Sequence, residues 1–326
     1  MFRSPGRTWL AAAIVSAVFL AQPAMAWDSF GHMVVASVAY RKLDSKTRAR
    51  VDALLALNPY FSDATKWPAQ ISSKVPTANR SRYMFMLAAT WPDEIKSDAE
   101  YRNDGSGNGD VPDGPASSRN TGYDDFNRHK YWHFVDTPFS QDGTDVSSLA
   151  IPVPDARTQI DAFRVVLRSD SADPLKSYDL VWLLHLMGDV HQPLHASTRV
   201  STAFPKGDTG GNDVPFCTAT STKCESELHA FWDNILGTGK IDSADKFAAT
   251  IKAPKVARKD IANTQTWVDT SFQLAQTAVY VKPPLDAGSP PFRATTDYTT
   301  AAKTLATKQV GLAGARLALI IKDELK

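Results

Sequence analysis

The chain runs to 326 residues, 43% apolar and 22% charged, an ordinary globular composition that excludes collagen-like, coiled-coil and wholly disordered readings. Lys and Arg total 36 against 35 for Asp and Glu, and a net charge of +1 excludes a histone-like, polyanion-coating protein. The first 26 residues read as a secretory signal peptide: Arg3 and Arg7 give a basic start, Trp9 to Ala21 an apolar stretch, and Ala24-Met25-Ala26 a small-x-small cleavage site. That stretch is too short to cross a bilayer of roughly 30 Å as a helix, so a membrane anchor is the poorer reading. Cleavage after Ala26 leaves residues 27–326, nearly neutral, secreted or periplasmic, and beginning at Trp27. Cys217 and Cys224 are the only cysteines. In an oxidising compartment they are expected to pair and close a short loop, contributing about 2–3 kcal/mol, with free or metal-binding thiols as the alternative.

From Trp27 onward the pattern is helices joined by loops. Phe30 to Leu43 and Ser45 to Leu57 space their apolar residues helically, with Asp44 or Ser45 available as an N-cap. Ser81 to Ser97 is a third predicted helix, its end blurred by Pro92, and Tyr101 to Asp125 is a long polar loop rich in Gly, Asp, Asn and Ser. Arg157 to Leu167 and Asp179 to Val190 are helical, the latter stopping near Pro193. Ala196 to Glu225 is expected to be irregular, and Glu227 to Leu236, Ser243 to Ile251, Thr264 to Tyr280 and Thr299 to Leu325 complete the helices. No segment alternates with period two, and no linker separates two cores. The expected fold is all-α in a single domain over 27–326.

Seven histidines are present, and their neighbours carry the information. His185 and Asp189 stand four residues apart on one helix face, and His229 and Asp233 repeat the spacing on another. Imidazole nitrogen and carboxylate oxygen both suit zinc. One such pair alone is better explained by a helix-stabilising hydrogen bond; two in an exported chain point to metal. To these the sequence adds His32 just after the mature start, Asp93 in Trp91-Pro92-Asp93, His133 in Trp132-His133-Phe134-Val135-Asp136, and His195 after His191-Gln192-Pro193-Leu194.

In this order, from Trp27 through Asn234, the motifs resemble those of the S1/P1 nuclease family, zinc-dependent enzymes related in fold to bacterial zinc phospholipases C. The resemblance implies three Zn2+ ions. Asp93, His133, His185 and Asp189 match the ligands of the first, and His195, His229 and Asp233 those of the second. The third would take His32, a shared oxygen of Asp189, and the free α-amine and carbonyl of Trp27. Such a cluster suits hydrolysis of phosphodiesters by a metal-activated water, with single-stranded DNA, RNA and nucleotides as substrates. Asp93 and Lys96 are the expected catalytic residues, Lys96 as a phosphate clamp or else a solvated lysine at a helix end. Phe134 is a stacking platform for a base or else a core phenylalanine. Asp136 and Asn234 match base-binding positions, with a contact behind the metal ligands and a helix cap as their other readings. His191 is left a supporting or structural role, and His129 a place on the surface. A phospholipase C, or a non-catalytic zinc-binding protein, is the competing reading. The motifs imply no membrane anchor and no obligate protein partner.

Overall fold

A computed structural model describes residues 27–325 apart from 107–110, 222 and 286–289. The expected signal peptide, residues 1–26, lies outside the described residues. In chain order the helices are α1 (Ser29–Lys42), α2 (Ser45–Leu55), α3 (Pro59–Ser62), α4 (Trp67–Gln70), α5 (Thr77–Ala88), α6 (Trp91–Ser97), α7 (Ala156–Arg168), α8 (Asp173–Asp189), α9 (Leu228–Asp233), α10 (Ile241–Thr250), α11 (Gln265–Leu274) and α12 (Thr296–Glu324). The fold is thus mainly helical, as the sequence predicts.

Local chemistry sets several of the boundaries. Asp44 caps α2 by accepting from Thr47 N at 2.9 Å, and Asp155 and Thr158 form a reciprocal capping box at the start of α7. The helix predicted over 81–97 is in fact two, since α5 ends at Ala88 and α6 restarts at Trp91. Pro92 falls in the first turn of α6, where its missing N–H costs nothing. In the same way Pro174 opens α8, which begins six residues before the predicted start.

Two helices lie at the centre. Leu180 to Met187 of α8 are all fully buried, as expected of a helix apolar on every side. Every residue of α1 from Phe30 to Tyr40 is buried as well, and α12, α10, α5 and α8 pack around it. Against α12 the approach is close: a Cβ on Gly314 would fall 2.6 Å from Val38 Cγ1. The main apolar cluster joins α1, α2, α5 to α8, α10 and the second half of α12, and a smaller one gathers Leu194, Phe216, Trp232, Tyr280 and Tyr298.

The segment 196–225 is irregular as expected, but it also carries strands that the sequence does not announce. β1 (Pro138–Ser140) pairs in parallel with β2 (Thr198–Val200), and β3 (Phe216–Cys217) with β4 (Phe292–Arg293). Two or three residues are too few to show an alternating pattern. Cys217 and Cys224 form a disulfide. The polar loop 101–125 holds short 3-10 turns at Gly114–Ser118 and Gly122–Asp124.

Candidate metal centre

The ends of short elements deliver the His and Asp residues singled out in the sequence to one place. α1 carries His32 and the first turn of α6 carries Asp93. A 3-10 turn, Lys130–His133, ends on His133, and the last turn of α8 presents His185 and Asp189 together. A second turn, Pro193–Ala196, holds His195, and α9 holds His229 and Asp233. All nine positions from Trp27 to Asp233 are buried.

The donor atoms of the eight His and Asp residues among them form three groups: His32, His185 and Asp189; Asp93, His133 and His185; and His195, His229 and Asp233. Within each group the atoms lie within 4.8 Å of one another. Asp189 faces two of the groups at once. Its Oδ1 is 3.3 Å from His32 Nε2, while its Oδ2 is 3.1 Å from His133 Nδ1 and 3.3 Å from His185 Nε2. Close packing depends on missing side chains: a Cβ on Gly188 would fall 2.8 Å from His32 Nδ1, and one on Gly31 would fall 2.6 Å from Trp27 Cβ. The segment just before α1 is tied to the part of the site that bears Asp233, because Asp28 N donates to Asp233 O at 3.3 Å.

Backbone carbonyls fix how several rings are protonated. His185 Nδ1 is 2.7 Å from Ala89 O, His195 Nδ1 2.8 Å from His133 O, and His229 Nδ1 2.8 Å from Gly210 O. Each Nδ1 therefore donates, which leaves a lone pair on each Nε2. The Nε2 atoms of His195 and His229 nevertheless face each other at 3.0 Å, with Asp233 Oδ2 3.4 Å from the latter. Three electron-rich atoms converging in a buried space call for a cation. His32 Nδ1, His133 Nε2, Asp93 Oδ2 and Asp189 Oδ1 likewise have no hydrogen-bond partner. Burial holds His32, His133, His185 and His195 well below the usual imidazole range and brings His229 down to about 4, so all five rings are neutral, as metal donors must be. Burial also pushes the Asp189 and Asp233 carboxyls well up, and a bound cation reverses that shift. The residues fit a metal cluster.

Around the donors the structure sorts the remaining candidates. Lys96 is buried, not solvated, with Nζ 2.8 Å from Asp93 Oδ1. Phe134 is half-buried and packs partly on the main cluster, and Asp136 is half-buried nearby in sequence. Asn234 is exposed and closes α9, donating from Nδ2 to Ala230 O at 2.8 Å. His191 accepts from Arg316 at 2.8 Å on the side away from the donors. The expectation for His129 is overturned: it is buried, stacked on Trp132 at 3.6 Å, and held between Asp104 at 2.6 Å and Asp125 at 3.0 Å. Two carboxylates supply the charge that lets a basic residue go inside. Sequence reasoning passed over Gln192, whose Nε2 donates to Asp233 Oδ1 at 2.8 Å and whose Oε1 accepts from Leu194 N. Its place between His191 and Pro193 was the available signal.

Fold and donor set define a helical protein with a buried centre suited to metal ions, and comparison with known proteins gives the class. The sequence model of the S1/P1 nuclease family matches residues 27–326, and the chain belongs to that family of zinc-dependent nucleases. Endonuclease 4 of Arabidopsis thaliana is 24% identical over 293 residues, covering 83% of this chain and 76% of the plant protein. Endonuclease 5 of the same plant is 25% identical over 245 residues, covering 73% of this chain and 64% of its own length. The protein is therefore a nuclease, a hydrolase of phosphodiester bonds. No helix among the described residues is long and apolar enough to cross a membrane.

Proposed function

We propose that this chain is an exported nuclease with three zinc ions that cuts single-stranded DNA and RNA to 5′-phosphorylated products and removes 3′ phosphates from nucleotides. The observation that carries this reading is the presence of three buried His/Asp donor groups, two of them joined by the two oxygens of Asp189. Asp93, His133, His185 and Asp189 would hold the first ion, and His195, His229 and Asp233 the second. His32, Asp189 and the amine and carbonyl of Trp27 would hold the third. When bound, the ions acidify water and neutralise charge on the phosphate. Each group mixes neutral imidazoles with carboxylates, and the second offers only three protein donors, which leaves room for water and substrate.

The chain's own groups do the rest. Lys96 brings a cation to the Asp93 side of the centre, where it meets a phosphate oxygen. Phe134, next to His133 and only half-buried, offers a ring face to a base, and Asp136 and Asn234 offer hydrogen bonds to its edge. Stacking accepts any base, which suits an enzyme of low sequence specificity. Export completes the site, because signal removal turns the Trp27 amide into an α-amine.

The test incubates purified protein beginning at Trp27 with single-stranded DNA, RNA and phosphatidylcholine separately, with and without a chelator. Chelator-sensitive cleavage of both nucleic acids with 5′-phosphate ends is the expected result. Release of phosphocholine without nuclease activity would instead establish a phospholipase C.

A further inference from the structure

β1 and β2 leave the metal centre side by side. Val135 N donates to His195 O at 2.7 Å and Thr198 N donates to Thr137 O at 3.0 Å. The two chains therefore run parallel from the donors His133 and His195 into the register Pro138 with Thr198 and Ser140 with Val200. Where they end there is a cavity of about 430 Å³, walled by Gln141, Asp142, Arg199, Phe204, Lys282 and Phe292. Arg199 is four residues beyond His195, so the extended backbone places its Cα within about 13 Å of that donor's Cα.

Arg199 is set in place. Asp208, fully buried, accepts from Arg199 N at 2.9 Å and from the Tyr280 hydroxyl at 3.1 Å, and its Oδ2 lies 3.5 Å from Arg199 Nε. The guanidinium carbon sits 4.8 Å over the Tyr280 ring. Held by a carboxylate on one edge and an aromatic face beneath, the side chain is ordered before any ligand arrives. Its terminal nitrogens make no hydrogen bond among the described residues. Lys282 adds a second cation on an exposed stretch, and Phe204 and Phe292 are half-buried rings in the same wall. Asp142 also lines the cavity and opposes an anion. Its carboxylate is already engaged by Ser140 Oγ, by Thr144 N and Oγ1, and by Thr202 N. The residue that holds Arg199 is tied to the centre along the chain, since two residues after Asp208 the Gly210 carbonyl accepts from His229 Nδ1.

We propose that this cavity binds a nucleotide of the substrate strand flanking the scissile bond, its phosphate on Arg199 and Lys282 and its base against Phe204 and Phe292. The proposal rests on the single-strand reading above and adds a second hold on the strand. Paired cations and aromatic faces are the chemistry that single strands require.

The test compares wild type with Arg199→Gln and with the exposed Lys282→Gln, whose folding is checked by circular dichroism. Each is assayed on a thymidine dinucleotide and on a long oligothymidylate, and for binding of labelled oligothymidylate by anisotropy in chelator. The expected loss of kcat/KM is about tenfold greater on the long strand than on the dinucleotide, carried by KM, with weaker binding and a shallower salt dependence. Equal losses on both substrates, or unchanged oligothymidylate affinity in both variants, would overturn the proposal. So would displacement of the oligothymidylate by inorganic phosphate at equal concentration, which marks a simple anion site. If wild type binds but does not cut, the activity reading fails while the anisotropy comparison still judges the cavity.

Discussion

Asp189 is the side chain on which the centre turns, because its two oxygens face different histidine groups. Asp189→Asn should cost more activity than loss of any other single donor, since it takes a charge from between cationic sites a few Å apart. Zinc analysis beside turnover decides this, and a variant with three zinc ions and normal turnover would remove the bridging role. Phe134→Ala should keep its metal and lose cleavage by a stacking-sized amount, about 1–3 kcal/mol. Loss of zinc in that variant would place Phe134 in the core instead. Trp27 is a third case. An amide nitrogen is planar and has no lone pair to give, whereas an α-amine with an ordinary pKa of about 7.7–8.0 is deprotonated by a nearby zinc. A chain that retains Met before Trp27 should fold but hold two zinc ions and cut poorly. Equal zinc content and rate in both forms, with the N-termini verified by mass spectrometry, would rule Trp27 out as a ligand.

At the level of elements, the polar loop 101–125 is fastened to the turn bearing His133 through His129. Besides its two ring contacts, His129 N donates to Asp104 Oδ1 at 2.9 Å. Burial depresses the His129 pKa, and the hydrogen bonds and charges of Asp104 and Asp125 outweigh it, so the net shift is upward. A group with a raised folded pKa stabilises fully below its unfolded value, about 6.5, and loses that contribution as pH climbs through the folded value. His129→Gln should therefore destabilise by about 1.5–3 kcal/mol at acid pH and progressively less in alkali. Thermal melts of both proteins across that range provide the check, and a pH-independent difference would refute the charged clamp. The sequence hid this element for a physical reason. Its polarity reads as solvation, and only the fold shows Asp104 and Asp125 turned inward. Helices with sustained apolar periods, α1, α2 and α7, were legible almost to their ends. The strands were not, because parallel pairing is set by the routes of chains leaving His133 and His195. The pairs His185/Asp189 and His229/Asp233 were legible because spacing on helix faces survives in sequence, and the other donor candidates came from the motif resemblance, whereas Arg199 and Asp208 belong to a stretch without period.

For the whole molecule, donors drawn from α1, α6, α8, α9 and two turns make metal binding and folding one equilibrium. Zinc at 100 times its Kd should stabilise by about 2.7 kcal/mol per site, so the Tm should rise with zinc and fall after chelation. Calorimetry at several zinc concentrations measures this, and a Tm indifferent to metal would show that the folded protein does not bind zinc at these donors. The packing of α12 on α1 carries a different consequence, one of timing. Translation makes the first helix, with His32, at the outset, and makes the surface that seats it, around Gly314, only at the close. Until α12 is made, α1 lacks one wall of its berth, although α8 already seats His32 through His185, Gly188 and Asp189. The helix that carries His32 is thus among the last parts of the fold to gain all its neighbours.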